Sequence, residues 1–486
     1  MSKTVKWYIN CAIALGIMVF FRFIPAPEPM TQMGITVVGI FLGAIYGWCT
    51  TNMIWPSIAA LILYGLTGAA PIPQTFGALF SAMGVQIVFW LMLCVGLLRN
   101  VNLIQYMANW SISRKFTEGK AWLLITCIFL CDIICGIALD AIAVILVFWA
   151  LLQTLCAEVG YEKGSRTGAW LMISVVVITQ FGGFILPFKP AVVTLFGFLS
   201  VGSGGVYDGT FDYANWILFT TVVSAIIFVV YMLFSKYVLK IDLSKFAEFK
   251  VESVELQPLD RRQKACLILF LILMVLLLVP SFKFLPQSFF LVTLVNKLGT
   301  VGCAMLMIGI VCLLHVNGEP LLTLDDLMNK NVVWSVIFMF GTALYLCTFI
   351  NGKDSGVSAW LQGVFNPVFG SMSPFVFVAC YLIVGIIITN FINNAVVGAL
   401  MVPISYGFCT AMGLNPVALC CCIILFVDFG ILLPSSSPSG SMLHNSKGWI
   451  PKKDLYPVGL FAVVIFVVVS LFIGWPLANM LFPFAG

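Results

Sequence analysis

The chain has 486 residues, of which 62% are hydrophobic and 9% are charged, and its formal net charge is +5. This composition provides too little polar surface to cover a water-soluble globule of this size. Apolar runs long enough to cross about 30 Å of hydrocarbon recur along the sequence. The composition therefore predicts a polytopic membrane protein, and nothing in the distribution of basic residues indicates a nucleic-acid-binding patch.

Eleven apolar stretches, separated by helix-breaking residues, are predicted to cross the membrane. Their ranges are 7–24, 31–48, 52–67, 81–100, 168–199, 214–238, 265–280, 298–315, 332–350, 416–443 and 457–475. Two longer segments, 121–156 and 374–411, contain polar residues at their centres, so we interpret them as helical hairpins that enter and leave by the same face. The predicted fold class is an all-α polytopic membrane protein with about 11 transmembrane helices and two re-entrant hairpins.

The distribution of Lys and Arg predicts the orientation of the chain in the membrane. If the N-terminus is cytoplasmic, most of the 24 basic residues fall on the cytoplasmic side, among them Arg114, Lys163 and Lys452. This bias predicts a multi-pass protein of the cell inner membrane with a cytoplasmic N-terminus. The first transmembrane helix then lies within residues 1–30, and the charged stretch 240–264 is a cytoplasmic linker.

The linker separates two units whose parts follow in the same order. Each unit contains five crossings and one hairpin, and because five is odd, the second unit is predicted to be inverted relative to the first. The residue ranges are 31–239 for the first unit, with hairpin 121–156 and broken helix 168–199, and 265–486 for the second unit, with hairpin 374–411 and broken helix 416–443.

One short pattern occurs in both interrupted helices. The segment from Gly183 to Pro187 recurs as the segment from Gly430 to Pro434, each time within apolar sequence. Gly and Pro at membrane depth are tolerated where the freed backbone groups line a cavity or are buried in protein. Two such interruptions in matching halves are typical of a transporter with a binding site near the middle of the bilayer.

The two predicted hairpins also align with each other. Residues 137–141 correspond to residues 391–395, which places Asp140 opposite Asn394 at equivalent hairpin tips. In an inverted arrangement, one tip approaches the middle of the membrane from each side. We therefore expect both tips to lie at the binding site.

These segments resemble a known family of transporters. The run from Thr389 to Pro403 is similar to the second hairpin of the divalent anion:sodium symporter (DASS) family, and the run from Leu433 to Gly440 resembles its following broken helix. In that family, a Ser-Asn-Thr signature at each hairpin tip and a Thr-Pro motif after each break bind sodium and the substrate carboxylates. The resemblance implies a homodimer with elevator-type alternating access and a small di- or tricarboxylate, or sulfate, as substrate.

The chain departs from the family signature at both hairpin tips. In place of the signature it has Leu139, Asp140 and Ala141 in the first hairpin, and Asn393, Asn394 and Ala395 in the second. Sodium prefers hard oxygen ligands, so the missing hydroxyls argue against two intact sodium sites. Lys189 follows the first break, and we hypothesise that it forms an ion pair with Asp140 in place of the first sodium. Such a protein is expected to be an anion exchanger or a proton-coupled carrier.

The predicted site residues lie at hairpin tips or helix breaks. Those predicted to bind substrate or ions are Asp140, Lys189, Asn393, Asn394, Ser436, Ser437, Pro438 and Ser439, and those predicted for helix breaks or coupling are Gly183, Pro187, Gly430, Pro434 and Asp428. Ionisable residues inside a membrane are usually functional, because a charge at the bilayer centre costs roughly 2.5 to 3.5 kcal/mol.

Some of these residues keep two interpretations. Asp428 is either a proton carrier or a partner for Lys189, and Asp132 either caps a hairpin arm or has a function in transport. The serine run 435–437 either satisfies the backbone of the broken helix or forms a cradle for a carboxylate.

The predicted function is secondary active transport of small organic anions, such as di- or tricarboxylates. A sodium-coupled dicarboxylate or sulfate symporter, and a related permease of the same fold class for another solute, stay open as alternatives. An enzyme is not expected, because neither His315 nor His444 lies near a nucleophile motif, and a channel would need a continuous polar pore lining. The 16 cysteines are interpreted as small buried hydrophobes, so no cofactor is expected, and sodium is left open as a coupling ion.

Overall fold

The structure, a computed structural model, describes residues 3–101, 103–207, 211–249, 258–282, 284–369 and 372–482. Helices make up nearly all of the regular structure in these ranges, and the one sheet found there is a short antiparallel pair, β1 (His315–Val316) and β2 (Glu319–Pro320). The all-α membrane fold predicted from composition is thereby confirmed. Residues 250–257 of the predicted linker lie outside the described residues.

Eleven α-helices precede the linker in the described chain. They are α1 (Lys3–Phe20), α2 (Gln32–Thr50), α3 (Ile54–Leu66), α4 (Ile72–Ser81), α5 (Met83–Arg99), α6 (Leu103–Ile112), α7 (Ala121–Ala138), α8 (Ala141–Glu158), α9 (Arg166–Ile185), α10 (Pro190–Gly202) and α11 (Tyr213–Tyr237). The pair α7 and α8 forms the first hairpin, and α9 with α10 forms the first broken helix.

Another eleven α-helices follow the linker in the described chain. They are α12 (Arg261–Leu278), α13 (Phe290–Leu313), α14 (Leu324–Asn331), α15 (Trp334–Ile350), α16 (Val357–Phe369), α17 (Pro374–Phe391), α18 (Asn394–Met412), α19 (Pro416–Asp428), α20 (Pro438–His444), α21 (Lys452–Val469) and α22 (Trp475–Leu481). The second hairpin is α17 with α18, and the second broken helix is α19 with α20.

The number of candidate membrane spans is close to the predicted number, and three of these spans, α7, α8 and α17, are arms of the predicted hairpins. Ten helices of the described chain are long and apolar enough to cross a membrane, or up to twelve when each of two bent pairs counts as one span. The bent pairs are α4 with α5, at 51°, and α14 with α15, at 73°. In each half, a bent pair is followed by a short helix, a hairpin and a broken helix. The inversion of one half relative to the other stays a prediction.

The first arms of the two broken helices lie at the centre of the molecule. Nearly every residue of α9 and of α19 is buried. Helix α9 packs against α7, α8, α11 and α21, whereas α19 packs against α17, α18, α10 and α22. The run from Cys420 to Cys422 is buried in α19, in agreement with its interpretation as small hydrophobic residues. The helix breaks are therefore surrounded by protein.

The local sequence explains where these central helices begin. Proline occupies the first turn of α10, α17, α19 and α20, where the N–H that it lacks has no partner within the helix. The side chains of Ser165 and Asn415 accept N–H bonds from the first turns of α9 and α19. Asp260 and Gln263 form a capping box at the start of α12.

Candidate functional site

The first hairpin tip consists of two residues between helices. Leu139 is the C-cap of α7, and Asp140 is the N-cap of α8, where its Oδ1 accepts the N–H of Ala143 at 3.2 Å. The Asp140 side chain is exposed. This carboxylate therefore stabilises the start of α8, where the helix dipole favours a negative charge.

Lys189 connects the first helix break to this tip. Helix α9 ends at Ile185, and Lys189 is the N-cap residue of α10, which begins at Pro190. The ammonium of Lys189 donates to the carbonyl of Gly136, and to the carbonyl of Leu139 at 3.1 Å. These are unsatisfied carbonyls at the C-terminal, partially negative end of α7. The ammonium thus occupies a position that suits a cation.

The expected ion pair between Asp140 and Lys189 is wrong. The ion pairs within 4.0 Å in the described part of the chain are Arg262 with Glu319 and Lys330 with Asp326. The Lys189 ammonium instead donates hydrogen bonds to backbone carbonyls. The Asp140 side chain accepts an N–H of its own helix. The charges of Asp140 and Asp428 still act on Lys189 from a longer distance.

The first hairpin lies directly on the backbone of α9. A Cβ atom added to Gly136 would lie 2.8 Å from the carbonyl oxygen of Thr179 and 3.4 Å from the Cα of Gly182. One added to Gly182 would lie 2.9 Å from the backbone of Gly136 and of Ile137. Only glycine at both positions allows this close approach, which holds the tip beside the first break.

The second hairpin tip also carries an N-cap residue, although its cap bond comes from the second residue after it and not from the third. Ile392 is the C-cap of α17, and Asn393 is the N-cap of α18, where its Oδ1 accepts the N–H of Ala395 at 3.0 Å. By this geometry Asp140 corresponds to Asn393, not to Asn394 as the sequence alignment suggested. The predicted alignment of the tips is therefore wrong by one residue.

Amide and hydroxyl groups connect the second tip to the second break. Asn394 Nδ2 donates to the carbonyl of Asp428 at 3.3 Å, and Thr389 Oγ1 donates to the carbonyl of Val427 at 2.7 Å. Asn390 Oδ1 accepts the N–H of Leu432 at 2.8 Å. The second half thus makes with neutral side chains the connection that the first half makes with an ammonium.

The serines after the second break satisfy backbone groups. Ser437 Oγ donates to the carbonyl of Gly430 at 2.8 Å and accepts the N–H of Gly440 at 3.0 Å, while Ser436 Oγ donates to the carbonyl of Leu433 at 2.6 Å. These contacts favour the structural interpretation of the serine run. Ser439 lies in the first turn of α20 and is buried.

Capping also fixes the position of Lys189 relative to the second half. Lys189 and Ser437 are both N-cap residues that directly precede a proline, Pro190 or Pro438, at the first position of the second helical segment. In a comparison of the two halves, Lys189 therefore corresponds to Ser437. A hydroxyl in one half corresponds to an ammonium in the other.

The two glycines of the repeated pattern have different environments. Gly430 lies in the second break, where an added Cβ would be 2.8 Å from both Asn394 Oδ1 and the Thr389 carbonyl oxygen. Gly183 lies inside the last turn of α9, and an added Cβ there would have no heavy atom within 4 Å. Gly183 is therefore not part of the interruption, which begins after Ile185. Pro434 lies within the second interruption, between α19 and α20.

The two breaks also meet each other. Gln180 Nε2 on α9 donates to the carbonyl of Asp428 at 3.2 Å. The rings of Phe181 and Phe429 stack with centroids 5.8 Å apart and planes 10° apart. The structure thus brings both tips and both breaks together at one centre, as the sequence predicted.

A cavity reaches this centre at Pro187. Its volume is about 780 Å³, within the range of small-molecule sites, and its walls include the polar residues Asn296, Thr300 and Tyr345. The hydroxyls of Tyr213 and Thr300 lie 2.9 Å apart on this wall. The cavity is large enough for a small organic anion next to the first break.

Asp132 occupies a separate buried position. It lies in the interior of α7, and Thr179 Oγ1 donates to its Oδ1 at 2.7 Å. Its Oδ2 is buried without a hydrogen-bond partner in the described structure. The suggestion that Asp132 caps a hairpin arm is therefore wrong, since it lies well before the end of the helix.

Several residues of this centre were not predicted from the sequence. Thr389 and Asn390 lie one turn before the second tip, so helical periodicity places them on the side of the tip and could have identified them. Gly136 acts through its carbonyl, which leaves no signal in the sequence. Cys49, at the end of α2, lies beside the backbone of Asn393 and brings a distant helix to the second tip.

The fold agrees with the comparison with known proteins. Residues 3–483 match the family model described as the sodium:sulfate symporter transmembrane region. The chain therefore belongs to this family, which confirms the predicted relationship to the divalent anion:sodium symporters. The family is one of transporters, in agreement with the expectation that the chain is not an enzyme.

The curated relatives are distant and match only part of the chain. Human solute carrier family 13 member 4 is 24% identical over 31% of this chain and 23% of its own length. The sodium-dependent high-affinity dicarboxylate transporter 2 of Caenorhabditis elegans is 26% identical over 26% of this chain and 23% of its own length. Alignments with the curated relatives thus span about a quarter of their length.

One solved structure extends the likeness over the whole chain. The YdaH transporter of Alcanivorax borkumensis superposes with a TM-score of 0.53, and the match covers 98% of this chain and 99% of that one. The two sequences are 14% identical. The similarity concerns the fold alone, and it supports a multi-pass membrane transporter architecture.

Proposed function

We propose that this protein is a secondary active carrier of small organic dianions, of the dicarboxylate class, in which Lys189 supplies a fixed positive charge at the first hairpin tip. The observation that carries the proposal is the contact of the Lys189 ammonium with the carbonyls of Gly136 and Leu139. Membership of a sodium:sulfate symporter family supports the class of carrier.

The position of Lys189 resembles that of a bound coupling ion. Carbonyls at the ends of interrupted helices are the groups that coordinate cations in transporters with broken helices. At the first tip, an ammonium attached to the chain holds that position. A dissolved cation is then not needed there, which supports sodium-independent transport through this half of the site.

Helix ends at the centre favour an anion as substrate. Helices α8, α10 and α18 all begin at the tips or at the first break, and the N–H groups of their first turns carry a partial positive charge. Lys189 adds a full charge to this region. Carboxylate and sulfate groups have the charge and the acceptor oxygens that such a region binds.

The remaining parts of the proposal depend on the family resemblance. They are a homodimer, elevator-type alternating access, and an inner-membrane location with a cytoplasmic N-terminus. The distribution of Lys and Arg supports the orientation of the N-terminus. Crosslinking of the purified protein in its membrane tests the homodimer. Labelling of single introduced cysteines in intact cells tests the orientation.

Exchange in proteoliposomes tests the function. Vesicles containing the purified protein are loaded with unlabelled succinate, and uptake of labelled succinate is measured with and without an inward sodium gradient. We expect saturable counterflow that does not depend on sodium and that other dicarboxylates inhibit. Failure of succinate, malate, tartrate, citrate and sulfate to exchange would overturn the proposal.

Substitution of Lys189 tests its role. Lys189→Met removes the charge with little change of volume and is expected to lower the apparent affinity for succinate by about tenfold or more, because a charge interaction of more than 1.4 kcal/mol is lost. Lys330→Met is the matched control, since Lys330 is an exposed residue paired with Asp326. Equal affinity of the two variants, each with a wild-type elution profile in size-exclusion chromatography, would refute the role of Lys189.

A sodium-coupled symporter is the second candidate. The name of the dicarboxylate relative from Caenorhabditis elegans describes sodium dependence of that protein. The second tip lacks a built-in cation and has the hydroxyl and carbonyl oxygens of Thr389 and Asp428 within one cluster. Uptake that requires an inward sodium gradient in the same vesicles would favour this candidate.

A further inference from the structure

The centre of the protein carries more negative than positive charge. The ionisable side chains that interact there are Lys189, Asp140 and Asp428. One positive and two negative groups leave one net negative charge when all three are ionised. If the proposed function is correct, a dianion must enter this region, and the unbalanced carboxylate opposes its binding.

The two aspartates differ in their ability to hold a negative charge. Asp140 is the N-cap of α8, and its carboxylate accepts the N–H of Ala143 at the partially positive end of that helix. Asp428 is the last residue of α19, at the partially negative end of its helix. In the described structure the Asp428 side chain has no hydrogen-bond donor, whereas its backbone carbonyl accepts bonds from Gln180 and Asn394.

We propose that the Asp428 carboxyl carries the proton that this transporter couples to anion movement, with one proton bound for each dianion transported. The proposal rests on the proposed function and adds the coupling ion to it. Protonation removes one negative charge from the centre, so that the dianion faces Lys189 and a single carboxylate. The carboxyl takes its proton from water on one side of the membrane and returns it to water on the other side.

The position of Asp428 suits this role. Asp428 as a residue is partly buried, in contrast to the fully buried Asp132. It lies where α19 ends and the second break begins, next to the tip residue Asn394. A change of its charge therefore acts directly on the contact between hairpin and break.

Few other titratable groups face Asp428. Lys189, the N-cap residue of α10, is the charged group that acts on Asp428. The titratable side chains Tyr406 and Cys409 of α18 lie more than three turns from the start of that helix, where Asn394 contacts the break. The other side chains shown in contact with the break from α17 and α9 are neutral, such as Thr389 and Gln180. On α20, the His444 ring contacts the carbonyl of Leu432 at 3.0 Å, in the same break. His444 is thus the group whose titration could be confused with that of Asp428.

Proton movement during succinate uptake tests the proposal. Vesicles containing the full-length protein and a trapped pH-sensitive dye are given external succinate at about pH 7.5, where both of its carboxyls are ionised. For the wild type we expect internal acidification that depends on succinate, and uptake that is accelerated by an inward proton gradient. Labelled-succinate counterflow is measured in the same vesicles.

Three single substitutions distinguish the candidate groups. Asp428→Asn is expected to reduce succinate-dependent acidification by about tenfold or more, and to make counterflow independent of pH. Asp325→Asn, the same chemical change at an exposed aspartate of α14, and His444→Gln are expected to keep the acidification and the pH profile. Retention of the acidification in Asp428→Asn would overturn the assignment, and its loss in His444→Gln would move the assignment to that residue.

The wild-type measurements separate the two proposals. Counterflow of succinate without any proton movement would leave the carrier function in place and refute proton coupling. Absence of counterflow for every anion tested would refute the carrier function itself. These two outcomes do not require that the Asp428→Asn variant folds.

Discussion

Alanine substitutions at Gly430 and Gly183 should have opposite effects, although the two glycines begin the same repeated pattern. At Gly430 the new Cβ would lie 2.8 Å from Asn394 Oδ1 and from the Thr389 carbonyl oxygen. Ordinary contacts of a Cβ begin near 3.4 Å, so these groups must move, by 0.6 Å (3.4 minus 2.8) to restore an ordinary contact. Such overpacking typically costs about 1 to 3 kcal/mol.

Gly183 is the matched control for this substitution. It lies in the last turn of α9, and its new Cβ would meet no heavy atom within 4 Å. Alanine is favoured over glycine in a helix by up to about 1 kcal/mol, so Gly183→Ala should preserve or raise stability. The two variants differ by one methyl group at equivalent sequence positions.

The assay combines stability and transport. Each variant is purified in the same detergent, heated, and followed by size-exclusion chromatography, and succinate counterflow is measured after reconstitution. If the contact between the second tip and break belongs to the anion-binding state, Gly430→Ala should weaken apparent affinity by about 5- to 140-fold, the equivalent of about 1 to 3 kcal/mol. A Gly430→Ala protein as stable and as active as Gly183→Ala would refute this reasoning.

Further substitutions test other contacts. Thr179→Val removes the hydroxyl that donates to buried Asp132 and should destabilise the protein by about 1 to 3 kcal/mol in a thermal assay, whereas Thr179→Ser should not. Asn390→Leu leaves the N–H of Leu432 without its acceptor, so hydrogen exchange at the second break should accelerate. In the linker, the N–H of Ser244 donates to the Asp242 carboxylate and lowers the pKa of that carboxyl. This hydrogen bond should therefore be complete at neutral pH and be lost as the pH falls through the lowered pKa. Hydrogen exchange of the Ser244 amide measures the loss.

The sequence was a good guide to the helices that cross the membrane and to the interruptions. Long apolar runs bounded by Gly and Pro are strong signals, and the proline at the start of α10 and of α20 marks the second segment of each broken helix. The short helix α4 was missed because its ten residues are too few to span a membrane alone. Together with α5 it forms a bent pair that counts as one candidate span.

The contacts at the centre were harder to predict than the helices. Lys189 was identified as a site residue because a charge in a membrane segment is costly, but its partners are carbonyls about 50 residues earlier in the chain. Backbone acceptors have no sequence signature, so a carboxylate was the natural choice of partner. The tip alignment failed by one residue because capping geometry, not residue type, determines which positions correspond.

The close contact between Gly136 and Gly182 limits how the access pathway can open. Backbone atoms of α7 and α9 meet there with no room for a side chain, and the Lys189 ammonium holds the same hairpin to the start of α10. Movement of the first hairpin away from the broken helix would break both of these contacts. Under the proposed function, we therefore expect hairpin and broken helix to move together against the surrounding helices.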